Sequence, residues 1–117
     1  MKPSDEQLKE AIEHELALAE SLKAGGDFRS AFHHLERAHV LGQASTYQHT
    51  RIHWRMFQLA IKMNSHREIW GQVIRIIGAS TKTPFGIYPK GNTGGANVWF
   101  FKKMPIPEDL EQIIAGK

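Results

Sequence analysis

Between Ser4 and Ala79 apolar positions recur every three or four residues, in four runs separated by short polar or glycine-bearing breaks. In the first run Leu8, Ala11, Ile12, Leu16, Ala19 and Leu22 share one stripe of a helix with about 3.6 residues per turn. Ser4 stands as its N-cap, acids fill its first turn, and Gly25–Gly26 end it. The second run restarts with Asp27 as cap and reaches Gly42. The third is capped by Ser45 or Thr46 and extends to Asn64. The fourth opens on Ser65 and stops near Gly78.

After Ala79 the pattern changes. Residues 80–106 carry glycine, proline and asparagine punctuation and no helical period, with Val98 to Phe101 as a short extended piece. Pro107 suits the first position of a last short helix that ends at Gly116. A structureless stretch of that length is unusual in a compact domain, so it is either ordered by packing or functional. The expectation is one all-α domain over residues 1–117. A helical bundle spans 5–79, an irregular wrap 80–106 and a short helix 107–116.

The first two helices resemble a tetratricopeptide hairpin. Gly26-Asp27-Phe28, then Ala31, Leu35 and Ala38, match that repeat's turn and the small and large positions of its second helix, although Ala19 stands where the repeat usually has glycine. A shift of 38 residues places Ala31 on Ile69, Leu35 on Val73 and Ala38 on Ile76. The apolar spacing persists in the second copy and the small residues do not. The fold expected is therefore tetratricopeptide-like stacked helical hairpins.

Over residues 10–115 the ordered series "HLERAHVLGQAS", "HWRM", "TKTPFG", "GNTGGANV" and "MPIP" resembles a small bacterial family of conserved domains of unknown function. That resemblance implies no settled biochemistry, only a loose tie to bacterial heavy-metal-resistance gene neighbourhoods. Residues matching its motifs include Glu15, Glu36, His39, Gln43, His49, His53 and Trp54; His33, His34 and His66 are peripheral to it.

Composition narrows the options. There is no cysteine among the 117 residues, so thiolate metal sites, Cys nucleophiles and disulfides are excluded. The N-terminal stretch has no apolar signal segment, and no run of apolar residues is long enough to span a bilayer. A cytoplasmic protein is the expectation. Residues 1–36 hold eight acids and four bases, whereas 37–103 hold ten bases and one acid, Glu68. This polarity suits either an anionic partner or mutual attraction between the two segments.

Five of the seven histidines fall in "HHLERAH" and "HTRIH". On a helical wheel His49 and His53 lie inside the Ile52–Met56–Ala60 stripe, one turn apart, and can point at one atom. His39 borders the Ala31–Leu35–Ala38 face with Glu36 beside it, and Glu15 is the acid on the stripe of the first helix. A buried unpaired carboxylate costs several kcal/mol, so these groups need partners. A divalent transition metal ion held by Glu15, Glu36, His39, His49 and His53 would satisfy them together. Such donors suit zinc, nickel, copper or iron. Glu36-x-x-His39 resembles half of a carboxylate-bridged di-iron motif, but the second copy is missing. The metal-free reading pairs Glu15 with Arg37 or His49 as a lock between helices.

Other chemistry is weaker. "KGNTGGANV" offers backbone N–H groups to an anion with Lys82 and Lys90 nearby, yet lacks the Walker pattern, and plain turns with Asn92 and Asn97 as caps explain it as well. A protein-interaction module on the hairpins is the principal alternative to metal handling. Nucleic-acid binding by Arg51, Arg55, Lys62, Arg67 and Arg75 with Trp54 and Trp70 comes after it, since no recognised motif accompanies them, and Trp54 is expected at a helix–helix contact. No triad or nucleophile elbow is present; if there is catalysis, Glu36 is the candidate base. No organic cofactor is expected.

Overall fold

The protein was analysed as a computed structural model, which describes residues 5–86, 89–98 and 102–116. Five helices follow in order: α1 (Asp5–Ala24), α2 (Phe28–Gly42), α3 (Thr46–Lys62), α4 (His66–Lys82) and α5 (Glu108–Ala115). A 3-10 turn, Thr83–Phe85, extends α4. Among the described residues there is no strand, and no helix is long and apolar enough to cross a membrane.

The starts of the inner helices are written in their caps. Asp27 accepts from the Ser30 N–H, Ser45 from Gln48 and Ser65 from Glu68, each relieving one orphan donor of a first turn. Left-handed Gly26 (φ 84°) and Asn64 (φ 54°) turn the chain between helices of a hairpin. The proposed Ser4 cap lies outside the described residues. Pro107 acts as the N-cap of α5, one place earlier than expected, and left-handed Gly116 closes it.

α1 packs on α2 and α3 on α4, and the α2–α3 contact stacks the two hairpins. The core between them is Ile12, Leu16, Leu35, Ala38, Ile52, Met56 and Leu59, with Leu110 of α5 plugging one end. The close approach of α2 to α3 depends on Gly42, where a Cβ would stand 3.0 Å from both Gln48 Cβ and Ile52 Cδ1.

Two expectations need correction. α4 does not stop near Gly78 but continues to Lys82. A lone helical glycine weakens a helix without ending it, Ala79 is buried, and the Thr81 hydroxyl donates back to the Ile77 carbonyl. Trp54 is not enclosed in a helix–helix contact; it is 51% exposed and stacks on Phe57 of its own helix. Val98 lies in no strand, and Trp99 to Phe101 fall outside the described residues.

The segment after α4 is ordered by packing where it is described. Gln43 pins it at both ends of its amide, donating to the Pro89 carbonyl and accepting from the Gly91 N–H. Asn92 donates to the Lys102 carbonyl and accepts from the Gly94 N–H. Residues 89–98 therefore lie against α2 and α4, beside His39.

Candidate metal centre

His39 comes from the last turn of α2, and His49 and His53 from successive turns of α3. All three are buried. The Nε2 of His39 is 3.0 Å from the Nε2 of His49 and 3.0 Å from the Nε2 of His53. The rings splay around that point, with centroids 4.6 to 4.9 Å apart. Among the described residues they form the one group of histidines and carboxylates whose donor atoms converge, within 4.8 Å of one another.

The opposite ring nitrogens are each engaged. His39 Nδ1 is 2.6 Å from the Asn92 carbonyl oxygen, His53 Nδ1 is 2.6 Å from Gln72 Oε1, and His49 Nδ1 is 2.7 Å from the Thr83 hydroxyl. A carbonyl only accepts, so His39 Nδ1 carries the proton. Gln72 is oriented as firmly: its amide nitrogen donates to the Gly94 carbonyl and to Glu68 Oε1, both at 2.9 Å, which leaves Oε1 to accept from His53. A neutral imidazole has one N–H. The Nε2 atoms of His39 and His53 therefore face each other as bare lone pairs.

Burial holds the rings neutral. It is the main cause pushing His49 down to about 4 and His53 down to about 3, and it pushes His39 well below the usual histidine value, with the neighbouring histidines adding to it. An imidazolium in this cluster is thus disfavoured as a means of relieving the lone-pair contact.

The carboxylates proposed as co-ligands lie elsewhere. Glu15 is buried but is taken up by α2, accepting from Arg37 Nε at 2.9 Å and meeting His34 Nδ1 at 2.8 Å. Arg37 also reaches Asp109 of α5. This is the interhelical lock that the sequence offered as the metal-free alternative for Glu15. Glu36 is half-buried beside Thr93, and burial, with Glu68 nearby, raises its pKa although the Thr93 hydrogen bond opposes this. No carboxylate belongs to the convergent set. His33 and His66 are exposed.

Sequence reasoning did not find the supporting residues Gln72, Thr83 and Asn92. For Gln72 a signal existed: it is a polar residue beside Ile69, Val73 and Ile76 on the α4 face, and it is 0% exposed. Asn92 does cap a turn, as its residue type suggested, but its carbonyl carries the contact to His39. Gly94 has a specific reason to be glycine, since a Cβ there would lie 2.6 Å from His39 Cδ2.

All of these residues fall within the span matched by one family profile. The profile of the family described as "Protein of unknown function (DUF3703)" matches residues 6–114. The chain belongs to this family. Comparison with curated proteins and with solved structures finds no significant match. DUF3703 membership therefore brings no assigned activity, and what can be said of function starts from the three rings.

Proposed function

We propose that this DUF3703 protein binds one divalent transition metal ion through the Nε2 atoms of His39, His49 and His53, in metal handling or sensing. One observation carries the reading: the Nε2 atoms of His39 and His53, both deprotonated by the partners of their Nδ1 atoms, stand 3.0 Å apart in a buried site. If His49 instead donated an Nε2–H to His39, the His39–His53 contact would remain lone pair against lone pair. A cation between the three nitrogens turns that repulsion into coordination.

Neutral imidazoles whose Nδ1 atoms meet a carbonyl, an amide oxygen and a hydroxyl match the support that metal-ligating histidines ordinarily have. Three nitrogens without sulfur or carboxylate suit zinc, nickel, copper(II) or iron(II) better than magnesium or calcium. Three protein ligands leave a coordination position open, as in catalytic rather than structural zinc sites. Elemental analysis of tag-free protein dialysed against zinc, nickel or copper tests the reading. One equivalent per chain, lost in His49→Ala with His53→Ala, is expected; absence of retained metal in the unaltered chain contradicts it.

A second reading, a helical interaction module, draws on the exposed apolar stripe Trp70, Ile74 and Ile77 of α4, which are 58–66% exposed. Trp70→Ser with Ile77→Ser would then abolish reproducible co-purification of a partner from the host. Metal uptake unaffected by that pair, with no partner lost, would count against it.

A further inference from the structure

His39, His49 and His53 form part of the wall of a cavity of about 280 Å³, which α4 and the 89–94 loop also line. Ile74, Ile77, Ala79 and Pro89 supply its apolar lining, and Arg75 and Lys82 are its ionic residues. Among the described residues no aspartate or glutamate lines it. Resting on the metal reading above, we propose that this cavity binds a small monoanion with an apolar body, a short-chain carboxylate being the simplest case. The charged end occupies the metal's open position and the body lies along Ile74 and Ile77.

Charge makes the first half of the argument. Three neutral imidazoles leave the full dipositive charge of the ion in a buried site, with Arg75 and Lys82 adding positive charge on the cavity wall. Attraction for an anion is strengthened where water is scarce. Among the described residues no carboxylate is placed to neutralise the ion. Glu15 is held by Arg37 and His34, and Glu68 accepts from Gln72 and from the Ala96 N–H. Glu36 is hydrogen-bonded to Thr93. The neutralising group must come from outside the chain.

Shape makes the second half. Ile74 and Ile77 remain 58% and 60% exposed although they border the cavity, so a ligand with only a charged head would leave them wet. A liquid water occupies about 30 Å³, so the space is several times what hydroxide or a halide needs. An aliphatic body of a few carbons fills it and covers both isoleucines.

The test uses the cobalt(II)-loaded full chain, whose visible absorption reports exchange at the open position. Acetate and butyrate should each shift the band saturably, with butyrate binding about tenfold tighter for its two added methylenes. Neutral butyramide should leave the band unchanged. Ile74→Ser, at an exposed position, should take up cobalt normally while narrowing the butyrate-to-acetate ratio toward one. A band indifferent to both carboxylates in a protein that does hold cobalt overturns this inference and leaves the metal reading standing. Equal affinities in the unaltered chain overturn the apolar half. Failure to take up cobalt at all overturns the metal reading and this inference with it.

Discussion

His53 is fixed by a short relay: its Nδ1–H donates to Gln72 Oε1, and the Gln72 amide nitrogen donates in turn to Glu68, which also accepts from the Ala96 N–H. The relay sets the tautomer that leaves Nε2 free to coordinate. Outer partners of this kind are worth about 10–100-fold in metal affinity. Gln72→Leu should therefore weaken zinc binding by that order in a competition titration against a chelator dye, and unchanged affinity would show the relay to be incidental. Acid should act on the same rings. Unfolded imidazoles titrate near 6.5, while His49 and His53 are held at about 4 and about 3. Between those values the unfolded chain binds more protons. Stability of the metal-free protein is then full above about pH 6.5 and is lost as pH falls toward 4, by up to about 1.4 kcal/mol per pH unit for each ring. Melting of the metal-free protein across pH 7.5 to 4.5 checks this; a flat profile would contradict it.

At the scale of elements, two locks with different duties are separable. The Glu15–Arg37–Asp109 chain ties α1, α2 and α5 together without touching His39, His49 or His53. Glu15→Gln should lower stability by on the order of 2 kcal/mol and leave metal stoichiometry intact, as urea denaturation and elemental analysis would show. The 89–98 loop has the converse duty. Gly94 has φ 85° and abuts the His39 ring, so Gly94→Ala should destabilise by more than about 1 kcal/mol and weaken metal binding together. A Gly94→Ala protein with unaltered affinity would show the loop to be dispensable to the site. The inner helices were legible because period and cap agree within each: Asp27, Ser45 and Ser65 are caps in the sequence and in the structure. The full length of α4 was not, because a glycine about three-quarters of the way along looks like a stop until the burial of Ala79 is known.

For the whole molecule, the polarity of charge along the chain resolves in part into internal pairing. Arg51 meets Glu13 and Arg55 meets Glu20, so the basic third helix leans its outer arginines on the acidic first one. These pairs are partly exposed and each contributes little, but they draw on charges that an anionic polymer would otherwise meet. The histidine cluster was legible in part for a physical reason. His49 and His53 share a helix, so their common face follows from a spacing of four, and His39 sits on a neighbouring helix whose core face was clear. The roles of the glutamates were not legible, because direction along a helix face does not say which of two neighbours a carboxylate will meet. Nor were Thr83 and Asn92, which reach the site from a segment without periodicity. The most direct measurement is X-ray absorption at the metal edge of the zinc-loaded, tag-free chain. It should show three imidazole nitrogens at about 2.0–2.1 Å and a fourth light atom from a non-histidine ligand. A shell with fewer imidazoles, or one built from carboxylate oxygens, would contradict the account.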